Sequence, residues 1–201
     1  MKTTAIILGK FLFKIRGITP VPFYFVCLLY CRIELKFFLP GLLLIGLGEI
    51  LRFFSVGYLG ISSRRTDNAD TDNLVISGPY RFVRNPIYLG NISIYLGFAV
   101  LSNVFFPIYP AIVLVFFTLI YYCIIKYEEK VLKVQFGRNY EYFFMSVPRF
   151  VPLWSPLIQT TNNQKFNYKK ALQSERATFT VLVFTFISII IKNYTHFWNF
   201  S

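Results

Sequence analysis

The stretch Ser77–Asn91, SGPYRFVRNPIYLGN, places turn-forming residues, cations and tyrosines directly before an apolar segment. Its Gly-Pro pair sets a turn through which a helix cannot continue, and Pro86 suits the first turn of a following helix. A helix start offers free N–H groups and a positive dipole end, to which Arg84 and the Asn85 amide add donors. These groups suit an anion or a carboxylate at the membrane surface. On these features alone, however, the pattern favours an ordinary interfacial helix start with snorkelling arginines.

Two tyrosines and a carboxylate pair add further chemical groups. Tyr80 and Tyr88 offer aromatic faces that can stack on a flat ring or lie against a cation. Glu128 and Glu129 follow the apolar run YYCIIK and Tyr127. Carboxylates can hold ribose hydroxyls or balance a sulfonium cation. The alternative is that the pair only balances the neighbouring lysines at helical spacing.

The amino-acid composition indicates that these groups lie in a membrane protein. Of 201 residues, 55% are hydrophobic and 15% are charged, and the mean hydropathy is +0.53. A soluble domain is about 25% charged, so the integral-membrane class is favoured. The net charge is +12, and the basic residues lie between apolar runs. This arrangement is typical of membrane proteins that follow the positive-inside rule and does not indicate nucleic-acid binding. Three scattered cysteines and a single histidine predict no metal site.

The apolar runs predict an all-α membrane bundle of about five transmembrane helices. The basic N-terminal segment, residues 1–17, is interpreted as an interfacial helix or a basic lead. The predicted spans are residues 19–31, residues 37–59, two spans that form a hairpin around a short loop at 102–107, and a last span at about 178–191.

The basic residues predict the orientation of the bundle. The N-terminus, residues 62–84 and residues 126–176 are basic, whereas the 102–107 loop has no Lys or Arg. Five spans with the N-terminus inside would place the three basic regions on the cytoplasmic face. Glu49 and Arg52 lie three residues apart within a span, so they share a helix face, either as a structural pair or as part of a functional site.

Two motifs taken together resemble one family. LVISGPYRFVRNPIYLG, an apolar hairpin and then EEKVLKVQFGRNYEYFFMSVPRFVP resemble the isoprenylcysteine carboxyl methyltransferase and phospholipid methyltransferase family of integral-membrane enzymes. The resemblance covers about Leu42–Pro152, within a single domain over residues 1–201. The segment at 177–191 lies outside it and is interpreted as an extra anchoring span.

The resemblance implies methyl transfer from S-adenosylmethionine to a lipidic or prenylated substrate, in a pocket at the cytoplasmic face. It implies catalytic roles for Arg84, Glu128 and Glu129. The cofactor would be bound by Asp72, Asn73, Leu74, Val75, Tyr80, Asn85, Pro86, Ile87, Tyr88 and Glu128. Leu74 and Val75 would contribute mainly their backbone. The expected partners are membrane lipids and the substrate, with neither metal nor nucleic acid, in a bacterial inner membrane or an endoplasmic reticulum.

Two departures from the family pattern keep the methyl acceptor open. The isoprenylcysteine enzymes typically have His where this chain has Asn85, and an Arg where it has Ile124. Without that Arg, a carboxylate substrate loses its obvious counter-ion. A carboxylate, a phospholipid amine, a hydroxyl and a thiol therefore stay candidate acceptors. The rivals from other classes are a non-catalytic membrane scaffold and a transporter, of which the latter is disfavoured by the few spans and the lack of a repeat.

Overall fold

The computed structural model describes residues 2–59, 74–156 and 164–198, and within these ranges all regular structure is helical. The helices are α1 (Lys2–Ile15), α2 (Val21–Tyr30), α3 (Leu35–Leu59), α4 (Pro86–Leu101), α5 (Ile108–Phe136), α6 (Arg138–Ser146) and α7 (Tyr168–Trp198), with a 3-10 turn at Gly78–Arg81. The expectation of an all-α membrane bundle is confirmed.

Five of these helices are apolar, in the predicted order, but they differ in length. Helices α3, α5 and α7 (over Tyr168–Asn193) are long and apolar enough to cross a membrane. Helix α2 has 10 residues and α4 has 16, so they rise about 15 and 24 Å against a hydrocarbon core of about 30 Å. The five predicted apolar helices are thus all present, three of them long enough to cross a membrane and two of them shorter.

Glycines allow α3 and α4 to pack closely. Gly41 and Gly48 on α3 face Gly97 and Gly90 on the antiparallel α4. A Cβ atom at Gly48 would lie 2.7 Å from the Gly90 carbonyl oxygen, and one at Gly41 would lie 2.6 Å from that of Gly97. Small residues at such contacts let helix backbones approach closely inside a membrane. The close contact with α3 therefore holds α4, and with it the start of α4, in position.

The other helices complete the bundle around this pair. Helix α5 returns beside α4 after the short 102–107 link, as predicted, and α1 packs along α5, with the Phe13 and Tyr127 ring centroids 5.7 Å apart. Helix α7 packs against α3 and α2. The Tyr24 hydroxyl of α2 and Ser188 Oγ of α7 are 3.0 Å apart in a hydrogen bond. Helix α7 begins ten residues before the predicted span, so its first turns belong to the polar end of the bundle.

Two irregular segments meet at that polar end. The Gly-Pro pair forms the 3-10 turn, in which Gly78 has φ +60° and lies against the Tyr58 ring, where a side chain would not fit. The segment after α6 runs beside this turn. The Arg84 N–H donates to the Pro148 carbonyl at 2.9 Å, and the Leu153 N–H donates to the Phe82 carbonyl at 2.9 Å. These bonds fix the polar loops to the start of α4.

Candidate active site

A large cavity of about 740 Å³ lies between the polar loops and the helices α2, α4, α5 and α7. This volume is within the usual range for small-molecule sites. One end is polar and carries the opening motif and the Glu128-Glu129 pair. The other end is apolar, and its lining includes Phe23, Phe98, Val113, Phe117, Val181 and Leu182. The cavity can thus hold a polar group and an apolar chain together.

The two glutamates of the pair have different environments. Glu128 lines the cavity and accepts a hydrogen bond from the Tyr88 hydroxyl at 2.8 Å. The Tyr88 ring stacks on Tyr121, with centroids 4.6 Å apart and an interplanar angle of 28°. Glu128 is therefore a carboxylate held in one orientation at the cavity wall by an aromatic pair.

Glu129 is buried and ties two arginines together. Arg84 Nη1 lies 2.7 Å from Glu129 Oε1, and Arg149 approaches the same carboxylate at 2.6 and 3.1 Å. These hydrogen bonds raise the pKa of the Arg149 guanidinium, which stays charged. The Asn85 amide donates to the Arg149 carbonyl at 3.2 Å. Glu129 and Asn85 thus join the start of α4 to the segment after α6.

Tyr80 lines the cavity at its polar end. Its side chain is buried, and within residues 2–59, 74–156 and 164–198 no group lies within hydrogen-bonding distance of its hydroxyl. Burial, followed by the nearby Glu128 carboxylate, raises the pKa of the Tyr80 phenol, so it keeps its proton at neutral pH. A buried polar atom without a partner is rare and indicates a site where a ligand or water completes the bonding.

The backbone before the 3-10 turn is held by a residue from the far end of the sequence. Gln164 Nε2 donates to the Leu74 carbonyl at 2.9 Å, and the Ile76 N–H donates to Gln164 Oε1 at 3.2 Å. Leu74 and Val75 line the cavity. The segment before α7 therefore positions the backbone of the candidate cofactor wall.

A second polar cluster lies on the cavity wall away from the opening motif. Arg52 of α3 donates to both oxygens of Glu175 on α7, at 3.0 and 2.8 Å, and to Thr178 at 3.2 Å. It also donates to Asn91 of α4 and lies 3.6 Å from Glu49. The charged groups of Arg52 and Glu175 are thus deep in the bundle, where a charge is tolerated only with partners.

The structure brings the described candidate residues together. Leu74, Val75, Tyr80, Arg84, Asn85, Pro86, Ile87, Tyr88, Glu128 and Glu129 all line the one cavity. Asp72 and Asn73 lie outside the described residues. Ile124, where the isoprenylcysteine enzymes have Arg, is fully buried. Over the described part of the chain, no group of three or more His, Cys, Asp or Glu is placed to hold a metal ion.

Sequence reasoning missed the contribution of α7. Glu175 and Thr178 line the cavity, whereas the sequence favoured an anchoring role for this helix. It also missed Asn91, Tyr121 and Tyr140. The one available signal was Glu175 itself, the last carboxylate before a long apolar run, because a charge so placed is usually functional.

Comparison with known protein families identifies the family of this chain. The sequence model of the Phospholipid methyltransferase family matches residues 36–139, just over half of the chain. The matched range contains α3, α4 and α5 and ends early in α6. It therefore includes the opening motif and the glutamate pair but neither α2 nor α7. No curated protein and no solved structure matches the chain significantly.

Proposed function

The chain belongs to the phospholipid methyltransferase family and is an integral-membrane methyltransferase; on that premise we propose that it transfers the methyl group of S-adenosylmethionine to a lipidic or prenylated acceptor. One observation carries the proposal. Ten residues that the two motifs single out, from the separate segments 74–88 and 128–129, line the same cavity. Residues that served only as unrelated interfacial anchors would have no reason to converge in this way.

The residues at the polar end fit the cofactor. Tyr80 offers a buried hydroxyl that needs a partner, and Glu128 offers an oriented carboxylate beside it. Carboxylates suit both ribose hydroxyls and a sulfonium cation, and the tyrosine faces suit a flat ring or a cation. We expect the segment 72–75, Tyr80, residues 85–88 and Glu128 to hold the cofactor. Arg84 and Glu129 keep the loop in place beside it.

The apolar end fits a lipid tail. Phe25 of α2 and both Val181 and Phe184 of α7 line the cavity, yet they are 52%, 61% and 64% exposed. Side chains that face both the cavity and the outside mark an opening between α2 and α7. In a membrane, this opening faces the hydrocarbon, so an acceptor would enter sideways with its tail still in the bilayer.

The chain needs little acid–base chemistry for this reaction. The bound cofactor supplies a methyl group that its sulfonium has already activated. The protein aligns the acceptor with that methyl group and excludes water, and such orientation contributes up to about 7–11 kcal/mol in favourable cases. A carboxylate acceptor is ionised at neutral pH and needs no base, whereas an amine must first lose a proton.

Among the candidate acceptors, one observation distinguishes a carboxylate from an amine. An isoprenylcysteine-like carboxylate needs a cation, but Ile124 provides none, and Arg84 and Arg149 are both bound to Glu129. A phospholipid amine needs no such cation, and the family name also points to phospholipids. The amine is therefore the second candidate, favoured by the same residues that weaken the first.

We also propose that the polar end faces the cytoplasm. The basic residues Lys126, Lys130 and Lys133 lie at this end, and the positive-inside rule assigns such clusters to the cytoplasmic side. An accessibility-labelling experiment on single-cysteine variants at the two ends of the bundle would test this orientation.

The test of the function is S-adenosylmethionine binding to the protein in lipid nanodiscs, measured by calorimetry. Wild type should bind, and Glu128→Ala and Tyr80→Phe should each bind about tenfold more weakly, a change of about 1.4 kcal/mol. Glu141→Ala is the matched control, because this carboxylate is outside the cavity lining and should leave the affinity unchanged. A folded wild type that does not bind would favour a non-catalytic scaffold instead.

A further inference from the structure

The end of α1 places an arginine at the cavity. Arg16 directly follows the last residue of this helix, and both Arg16 and Phe13 line the cavity. The helix packs tightly on α5, because a Cβ atom at Gly9 would overlap the backbone carbonyl of Cys123. Contact with α5 therefore fixes the position of the last turn of α1 and of the arginine that follows it.

The charge of Arg16 acts on Glu128, the oriented carboxylate of the cavity wall. The buried Phe13 ring packs on Tyr127, the residue before Glu128. The Arg16 guanidinium lies over the Phe13 ring, 3.9 Å from its centroid, and interacts electrostatically with the Glu128 carboxylate. The cavity wall therefore presents a cation and a carboxylate within electrostatic reach of each other.

The other arginines in the described cavity lining are bound to buried carboxylates. Arg84 donates to Glu129 at 2.7 Å, and Arg52 donates to Glu175 at 2.8 Å. In Arg16, the stacking on Phe13 uses the flat face of the guanidinium, whereas its five N–H donors lie at the edge. Arg16 does not have to be without other partners to bind a ligand, since five donors can serve a protein group and a ligand carboxylate together.

We propose that Arg16 binds the carboxylate of the methionine end of S-adenosylmethionine. This inference rests on the proposed function, since it assigns one group of the same cofactor. The methionine end carries a carboxylate together with an ammonium group and the sulfonium. A wall with one cation and one carboxylate matches these charges, with Arg16 on the carboxylate and Glu128 on the positive side. The planar guanidinium suits two-pronged binding of a carboxylate.

The proposed contact is an addition that α1 makes to the site. Arg16 lies outside residues 36–139, which match the family, and outside the two sequence motifs. The contact gives α1 a role beyond that of an interfacial helix or a basic lead. It also leaves Arg84 to its structural bond with Glu129.

The test compares two ligands that differ at the carboxylate. S-adenosylmethioninamine, the decarboxylated form of S-adenosylmethionine, keeps the nucleoside, the sulfonium and the amine. The dissociation constants of both are measured by calorimetry on protein in phosphatidylcholine nanodiscs. We expect wild type to bind S-adenosylmethionine about tenfold more tightly, and Arg16→Gln to reduce this preference to less than about threefold. The affinity of Arg16→Gln for the decarboxylated ligand should not fall by more than about threefold, which also shows that the variant is folded.

Two further variants test the geometry and the position of the charge. Arg16→Lys keeps the charge but loses the planar fork, so its preference should lie between those of wild type and Arg16→Gln. Lys14→Gln removes an exposed cation of α1 that is outside the described cavity lining, and it should leave the preference unchanged. Equal affinity of wild type for the two ligands, or equal weakening of both ligands in both Arg16 variants, would overturn the inference.

The two ligands also separate the inference from the function on which it rests. If wild type binds S-adenosylmethionine and Arg16→Gln keeps the full preference, only the carboxylate contact is wrong. If folded wild type binds neither ligand, the methyl-transfer proposal fails and the contact fails with it.

Discussion

The cavity has two ion-pair clusters that are built in opposite ways. At the polar end, one carboxylate, Glu129, lies between two arginines, Arg84 and Arg149. Deeper in the bundle, one arginine, Arg52, lies between two carboxylates, Glu49 and Glu175. Counted over these six side chains alone, the formal charges sum to +1 in the first cluster and to −1 in the second.

The two clusters also differ in what they connect. The polar-end cluster joins two loops that carry the family motifs, and Arg149 is partly exposed. The deeper cluster joins three helices, and its Glu175 carboxylate is almost fully buried. We infer that the first mainly shapes the cofactor loop, whereas the second holds the bundle together. Removing a charge should therefore cost more at the second.

The largest expected effect is that of Arg52→Leu. This change leaves Glu175 buried without its cation, and breaking a buried pair in this way costs about 3–5 kcal/mol of folding free energy. The double variant Arg52→Leu/Glu175→Leu should recover at least half of that loss, because the uncompensated charge is gone. Thermal unfolding in detergent measures both. A double variant no more stable than the single one would show that the charge is not the cause.

A smaller effect is expected when the same arginine is displaced without a change in charge. A Cβ atom at Gly90 would lie 2.6 Å from Arg52 Cγ and 2.7 Å from the Gly48 carbonyl oxygen. Gly90→Ala should therefore cost about 1–3 kcal/mol, the usual cost of overpacking. Gly46→Ala is the matched control, since nothing lies within 4 Å of a Cβ there. Equal unfolding temperatures for the two variants would contradict the predicted contact.

The sequence predicted the surroundings of the polar-end cluster better than those of the deeper cluster. Arg84 and the glutamate pair stand in motifs whose residue order and spacing are recognisable, so their convergence at one cavity could be expected. The hairpin and the start of α4 at Pro86 followed from local rules on apolar runs and prolines. Local patterns were sufficient here because each motif lies next to the helix that positions it.

Only the half of the second cluster that lies within α3 could be predicted in this way, because the spacing of Glu49 and Arg52 puts them on one helix face. Arg52 and Glu175 are separated by 123 positions and meet only because α7 packs on α3. No local pattern records this packing, and the apolar run of α7 indicated only a membrane anchor. The apolar runs of α2 and α4 predicted where these helices lie but not whether they cross the bilayer. An apolar run shows that a helix avoids water, not how much of the bilayer it crosses.

Neutralising Glu129 in the polar-end cluster should have a smaller effect, and it should change cofactor binding more than folding stability. Glu129→Gln keeps an acceptor for one arginine but replaces charge-assisted hydrogen bonds with weaker neutral ones. We expect about tenfold weaker cofactor binding, or about 1.4 kcal/mol, with faster hydrogen exchange in residues 147–153. Calorimetry and exchange mass spectrometry measure the two effects. A large fall in unfolding temperature with unchanged cofactor affinity would contradict this prediction. It would indicate that the polar-end cluster, like the deeper one, mainly stabilises the bundle.

The smallest effect is expected at an ion pair that belongs to neither cluster. Lys133 and Glu141 are 3.9 Å apart, and about half of each side chain is exposed. Water and salt screen such a pair, so Glu141→Gln should change stability by less than about 0.5 kcal/mol. Unfolding temperatures at low and high salt measure this difference. If Glu141→Gln lost nearly as much stability as Arg52→Leu, burial would not explain the sensitivity of the deeper cluster. The contrast between the two clusters would then rest on the sign of their charge alone.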